Sequence, residues 1–393
     1  MLSQLTPAPL DPILSLTMAF REDQRENKMD LGIGVYKDAS GHTPIMAAVA
    51  QAQEKLIQIQ DTKSYVGLAG NEVFNQAMMK LVLGEKSAAY ARAAAVQTPG
   101  ASGALRMLAD LIKQARPNAV VWLSNPSYVN HQPVMEAAGL KVAFYDYFDS
   151  DKMQVNEAAM LASLEAATAD DIVLLHGCCH NPTGADLSLE GWEAVAQLAL
   201  KKGFTPFVDI AYQGFGDGIE ADTQGIRLLA ERVPELLIAT SCSKSFGLYR
   251  ERTGAAIIVG ESLEASNVAK GRILQLARST YTMPPDHGAA VVATILTDPQ
   301  LTQIWEDELN AMQARLQRLR QGLVAAFQAR GCQRFDFIVE HKGMFSHSGL
   351  AVSEIDRLRE EFGIYIVGDG RINIAGMQED KLTILAEAIL SVI

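Results

Sequence analysis

The sequence predicts an α/β protein: a large domain on a mostly parallel central sheet, followed by a smaller α/β domain. Three observations carry this. Short apolar runs alternate with helical patterns through the middle of the chain. One long amphipathic segment follows, and beyond it the character changes to short strands and a helix. Strand then helix, repeated, requires crossover connections and yields a sheet covered on both faces.

The elements follow in chain order. The first 40 or so residues, rich in proline and turn signals, are expected to join the smaller domain. Strands are predicted at 119–123, 172–176, 206–209, 236–240 and 255–259, where β-branched and apolar residues run together. Helices are predicted at 103–114, 188–201 and 223–232. From 301 to 330 the apolar positions Leu301, Ile304, Trp305, Leu309, Met312, Leu316, Leu319, Leu323 and Phe327 recur at helical spacing, so one face is buried. Gly331 is a natural stop for that helix. A last helix is predicted at 352–362. The division expected is 1–40 as an arm and part of the small domain, 41–311 as the large domain, and 312–393 as the small domain.

Composition narrows the function. The chain has 393 residues, 48% hydrophobic and 20% charged, enough to bury a core without metals or disulfides. Its net charge of −12 argues against nucleic acid or an anionic membrane as the main partner. Four cysteines in this length are no disulfide framework, which points to a reducing cytoplasm. The amino-terminal stretch has no basic start and does not read as a signal peptide. No run of about 18 apolar residues spans a membrane.

Polar motifs follow most of the predicted strands, and the carboxyl ends of parallel strands are where ligands gather. Ser241-Cys242-Ser243-Lys244 follows one strand, with Arg252 eight residues beyond the lysine. Hydroxyls and an arginine suit a phosphate, and the lysine suits either a phosphate ligand or a nucleophilic amine. Gly100-Ala101-Ser102-Gly103 opens a helix, where free N–H groups and the dipole favour an anion; the plainer reading is a cap by Ser102. The run is neither a Walker loop nor a dinucleotide fingerprint. Asp209 ends a strand before Tyr212 and suits a pyridinium proton or a helix cap. His176-Gly177-Cys178-Cys179-His180 has metal-ligand residue types, but alternating strand side chains should not converge on one ion, so no metal is expected. Asn181-Pro182-Thr183-Gly184 turns the chain at the same edge. Arg278 and Arg371 sit in apolar surroundings and suit a carboxylate or a surface ion pair.

Together these residues resemble the class I aminotransferases, in particular their aspartate and aromatic amino acid branch. The resemblance runs from about Asp11 to the end of the chain and is carried by Leu31-Gly32-Ile33-Gly34-Val35-Tyr36-Lys37-Asp38, Gln97 to Gly100, His176 to Gly184, Ser241 to Arg252, Tyr281 to Gly288, Gly343 to Ser346 and Gly370 to Gly376. It implies pyridoxal 5′-phosphate as cofactor, the fold type I architecture, and a homodimer with shared sites. It implies Lys244 as the lysine that joins the cofactor and moves the proton, and Asp209 at the pyridine nitrogen. Asn181 and Tyr212 would meet the ring oxygen, and Tyr128 would face the ring. Ala101, Ser102, Ser241, Ser243 and Arg252 would hold the phosphate, with Tyr65 from the neighbouring subunit. Arg371 would bind the α-carboxylate, and Arg278 of the neighbouring subunit a side-chain carboxylate. Gly34 and Phe345 would line the substrate pocket.

Two positions depart from the family pattern. Tyr128 stands where a tryptophan is usual, and Ala101 where a second glycine is usual. Substrate signals are mixed. Ser102, Met283 and Ser64 match the aromatic branch, while Val35, Lys37 and Thr43 match the aspartate specialists. The expected activity is exchange of amino groups between aromatic amino acids or aspartate and 2-oxo acids such as 2-oxoglutarate. An aspartate-specific enzyme, or a β-lyase using the same lysine, are the alternatives. A nicotinamide dehydrogenase lacks its glycine fingerprint here.

Overall fold

The computed structural model describes residues 1–7 and 12–393; residues 8–11, where the resemblance begins, lie outside the described residues. Seven strands form the central sheet: β1 (Ala93–Pro99), β2 (Val120–Asn125), β3 (Lys141–Asp146), β4 (Ile172–His176), β5 (Thr205–Ile210), β6 (Leu236–Ser241) and β7 (Thr253–Val259). Their order is β1-β7-β6-β5-β4-β2-β3. β7 runs antiparallel to both neighbours, and every other pairing is parallel.

Alternation along the strands explains why the runs read as continuously apolar. Val173, Leu175, Ile238, Ala255 and Ile257 enter one core cluster, while Ile172, Leu174, Leu237, Ala239, Ala256 and Ile258 enter another. Both faces are covered, so neither set can be polar. The predicted strands all form, within a few residues of their expected ends. β1 and β3 were not expected. β1 begins Ala93-Ala94-Ala95, and alanine carries no strand preference. β3 is an edge strand with Lys141 and Asp146 exposed, so its apolar run is broken.

Helix α1 (Gly100–Ala115) starts three residues earlier than the sequence suggests, directly from the end of β1. Ser102 therefore lies in the first turn and does not cap it; Pro99 occupies the cap position. Gly100 makes the junction at φ +69°, a conformation that favours glycine. Gly254 lets β7 pack there: a Cβ on it would meet backbone Thr240 O at 2.5 Å and Gly100 C at 2.6 Å.

α2 (Leu263–Thr280) covers the same face as α1, and the 30-residue α3 (Pro299–Gln328) follows. Asp298 caps α3, accepting from the N–H groups of Gln300 and Leu301. Its buried stripe is the predicted one except for Ile304, with Arg315, Arg320 and Val324 added. Beyond it, Phe345–His347 pairs with Arg371–Asn373, and Ile364–Tyr365 pairs with Met29–Asp30 from the start of the chain. The tail holds two helices, Val352–Phe362 as expected and Leu382–Val392, which was not. Among the described residues no helix is long and apolar enough to cross a membrane.

Two glycines give opposite expectations. Gly254→Ala forces backbone apart and should destabilise the fold by about 1–3 kcal/mol. Gly271→Ala, on an exposed stretch of α2 with nothing within 4 Å of an added Cβ, should stabilise it by roughly 0.5–1 kcal/mol. Urea unfolding of both variants measures the difference.

Candidate active site

The sheet topology delivers chemistry to one edge. β1 ends at the turn that presents Ala101 and Ser102, and β2 leads to Tyr128. β4 leads to Asn181, β5 carries Asp209 and leads to Tyr212, and β6 leads through Ser241 and Ser243 to Lys244. Because β7 runs the other way, its beginning lies at this same edge, and that brings Arg252. These residues line one cavity of about 230 Å³ together with Gly34, Phe345 and Arg371. Of the residues predicted for the site, Tyr65 and Arg278 do not line it. Tyr65 is 88% exposed, and Arg278 is exposed near the end of α2.

One end of the cavity is built for an anion. Ser241 and Ser243 are buried, and the Ser243 N–H donates to Ser241 Oγ at 3.1 Å. Arg252 donates to the Tyr249 carbonyl at 3.1 Å and lies so close to Gly100 that an added Cβ would come within 2.7 Å of its Nη2. The free N–H groups of the first turn of α1 add to this positive end.

At the other end, Arg371 is 5% exposed. It donates to Gly32 O at 2.8 Å and to Asn181 Oδ1 at 3.4 Å, and its Nε has no acceptor. The guanidinium lies 4.4 Å from the Phe345 ring centroid, and Phe345 meets Tyr212 edge-on at 5.9 Å. A buried guanidinium with no carboxylate among the described residues is a strong site for one.

Asp209 is held from behind. Its Oδ2 lies 2.9 Å from His131 Nε2, while its buried Oδ1 has no hydrogen-bond partner. The donor order follows from one fixed group. The backbone N–H of Asn181 donates to His176 Nδ1 at 3.4 Å, so His176 donates from Nε2 to Ser127 Oγ at 3.4 Å. Ser127 then donates to His131 Nδ1 at 2.9 Å, which leaves Nε2–H aimed at Asp209. Burial, reinforced by the neighbouring His180 and His131, holds His176 well below its usual range and keeps it neutral.

Lys244 opens on the cavity with its ammonium 4.8 Å from the Tyr212 ring centroid. Burial brings it down from its ordinary 10.5 to about 8; Arg252 and Arg371 push the same way and Asp209 opposes. Burial likewise raises the Tyr212 phenol far above its usual value. The loop behind Lys244 is anchored by α3. Trp305 Nε1 donates to the Ser245 carbonyl at 2.7 Å, and its ring stacks on Phe246 at 4.6 Å.

The histidine and cysteine run behaves differently from the alternation argument. β4 ends at His176, and the turn beyond brings His180 back to stack on it at 3.9 Å. Cys178, Cys179 and Asp222 offer ligand atoms within 4.8 Å of one another. The Asp222 carboxylate already accepts three backbone N–H groups, from Gly214, Gly216 and Asp217. Burial, and for Cys178 first the neighbouring Cys179, raises both thiols, so the group reads as core structure.

The protein-family model for aminotransferases of class I and II matches residues 26–389. The chain belongs to this family. It is 47% identical to the aromatic-amino-acid aminotransferase of Paracoccus denitrificans and 46% identical to the aspartate aminotransferase of Escherichia coli K12, covering 100% of both chains in each case. Among solved structures, the aromatic-amino-acid aminotransferase from Burkholderia pseudomallei, covalently bound to pyridoxal phosphate, superposes with a TM-score of 0.98 at 40% identity, over 100% of this chain and 99% of that one. The chain is a transaminase, and the family's cofactor fits the cavity. Asp209 Oδ1 is a free acceptor at its floor, Lys244 is an amine beside it, and the cationic end suits a phosphate.

His131 and Ser127 escaped the sequence reading. Their signal was position: both follow β2 at the edge where Asn181, Asp209 and Lys244 also fall. Ile13, from helix Pro12–Glu22, also lines the cavity and was missed.

The depressed value of Lys244 predicts a pH effect in the cofactor-free chain. Between about pH 8 and 10.5 the folded chain binds fewer protons than the unfolded one, so stability gains with rising pH across that window. Below it the cost of the buried charge is fully present, on the order of 3 kcal/mol. Lys244→Met should therefore be the more stable chain at pH 7, with the margin narrowing by pH 10 in urea titrations.

Proposed function

We propose that the chain exchanges amino groups between aromatic amino acids, dicarboxylic amino acids such as aspartate, and 2-oxo acids including 2-oxoglutarate. The observation that carries this reading is the pairing of Arg371, buried with Nε free, and Lys244 in one cavity floored by Asp209. Pyridoxal phosphate, when bound, supplies an electron sink for the carbanion formed at the substrate Cα. Asp209 Oδ1 would accept the pyridine N–H, with His131 orienting the carboxylate. Ala101, Ser102, Ser241, Ser243 and Arg252 would hold the phosphate, and Asn181 and Tyr212 the ring oxygen. Tyr128 would cover the ring; it stands edge-on to His131 at 5.3 Å. Lys244, with a neutral amine accessible near neutral pH, would carry the proton to and from Cα.

We propose further that two copies assemble and share sites. The exposure of Tyr65 and Arg278 supports this, since both lie away from their own cavity. Tyr65 would reach the neighbour's phosphate, and Arg278 the neighbour's substrate side chain. The chain divides, on this reading, into 1–40, 41–311 and 312–393. Four free cysteines support a reducing cytoplasm.

Dual specificity is supported by relatives named for both activities and by the apolar Met283, whose sulfur accepts from the Val66 N–H at 3.3 Å. The aspartate-specific alternative is favoured by Lys37, which pairs with Asp30 at 3.5 Å, and by Thr43, which donates to Tyr36 O at 2.9 Å. A donor panel of aspartate, glutamate, tyrosine, phenylalanine and tryptophan against 2-oxoglutarate separates the two. Release of free ammonia would instead indicate a lyase.

Arg278→Leu separates the substrate classes. Losing one side of a buried charge pair costs about 2–5 kcal/mol, so kcat/KM for aspartate should fall roughly 30- to 5000-fold. Phenylalanine should lose about 10-fold or less, because its ring needs no cation. Equal losses would remove Arg278 from the substrate site. Mixing this chain with Lys244→Ala should restore aspartate turnover through hybrid dimers carrying one complete site.

A further inference from the structure

Arg320 is 3% exposed, and no carboxylate among the described residues pairs with it. All its bonds go to one loop. Nη1 donates to Ile338 O at 3.1 Å and to Ser346 Oγ at 2.6 Å, and Nη2 donates to Gly343 O at 2.9 Å and to Phe345 O at 2.7 Å. His341, also buried, completes the arrangement. Its Nε2 faces the Met153 carbonyl at 2.8 Å and must donate there, so its Nδ1 accepts from the Ser346 hydroxyl at 3.0 Å. That leaves the Ser346 oxygen to accept from Arg320. The four terminal N–H groups of Arg320 and the donors of His341 and Ser346 each have an acceptor, and burial, which pulls His341 down to about 4, keeps it neutral.

This chain of bonds ends on the substrate pocket. Ser346 lies between Phe345 and His347 on the short strand whose partner strand carries Arg371. Phe345 supports the Arg371 guanidinium at 4.4 Å, and its Cζ would lie 3.1 Å from a Cβ on Gly34. The loop is thereby tied to α3 on one side and, through Met153, to the hairpin of Phe148–Asp149 and Gln154–Val155 on the other. A buried cation satisfied by neutral acceptors adds little stability, but its planar fork fixes geometry.

We infer that Arg320, with Ser346 and His341, is a positioning residue for carboxylate binding: it holds Phe345 where Phe345 sets the Arg371 guanidinium. The inference rests on the reading that Arg371 takes the substrate carboxylate. A lysine cannot make four divergent bonds, and a displacement of about 1 Å at a positioned group costs on the order of 100-fold.

The test measures the dissociation constant of 3-phenylpropionate, a carboxylate that cannot react, on the cofactor-loaded enzyme, alongside kcat and KM for phenylalanine. Arg320→Lys should weaken 3-phenylpropionate about 10- to 100-fold and raise KM in step, with saturated kcat within about 3-fold. Ser346→Ala should act in the same direction, about 3- to 10-fold. Arg371→Lys is the reference. If it binds 3-phenylpropionate like wild type, the reading of Arg371 fails. If it binds weakly while Arg320→Lys and Ser346→Ala bind like wild type, the positioning role alone is overturned. A fall in kcat with unchanged affinity also overturns it. Should Arg320→Lys not fold, Ser346→Ala decides by the same criterion.

Discussion

The site depends on an uneven burial of charge. Lys244, Arg252 and Arg371 line one cavity, and among the described residues that line it Asp209 is the single carboxylate. Arg371 is buried and Lys244 half-buried, whereas Arg252 is exposed at the cavity's edge; buried cations without counter-ions are costly, and the cost is relieved when anions enter. The two arginines have different neighbours, which suits two anions of different shape. Arg252 stands with Ser241, Ser243 and the first turn of α1, while Arg371 stands across the cavity on Phe345. A phosphate suits the first group, and a planar carboxylate suits the second. Burial, and after it the positive charge of both arginines, makes the Lys244 amine easier to deprotonate, with Asp209 opposing.

The fold produces that imbalance through topology. Parallel strands present their carboxyl ends together, and the single reversed strand β7 contributes the residue before its first position, Arg252. Asp209 is held in one orientation, with one of its oxygens free. The chain of donors from the Asn181 N–H through His176, Ser127 and His131 occupies the other oxygen and leaves Oδ1 open. α3 braces two sides of the cavity, by Trp305 behind Lys244 and by Arg320 behind Phe345.

Much of this is legible in the sequence, for identifiable reasons. Strands buried on both faces read as apolar runs, and the residues after them fall at a shared edge, so the amino-acid order alone groups Asp209, Asn181, Ser243 and Lys244. Arg371 stands out as a charge in an apolar stretch. Other features are hidden. The alanines of β1 and the exposed edge strand β3 lack a strand signature. Arg320 lies on the apolar stripe of α3, but helical spacing marks hydrophobic residues and gives no sign that an arginine will be buried with them. His131 and Ser127 act only through contacts across the sheet edge, which no local pattern encodes. Tyr65 and Arg278 carry no local signal for a site in a second copy; the family resemblance alone points to it.

The charge imbalance is tested most directly by comparing pyridoxal phosphate with pyridoxal, which lacks the phosphate, on the cofactor-free protein. Equilibrium dialysis of wild type and Arg252→Gln gives four dissociation constants. With several charge-assisted bonds at about 1.5–3 kcal/mol each, wild type should prefer the phosphorylated compound by on the order of 100-fold or more. Arg252→Gln should reduce that preference at least about 10-fold while leaving pyridoxal binding nearly unchanged. Equal binding of the two compounds by wild type, or a preference untouched by Arg252→Gln, would contradict the account.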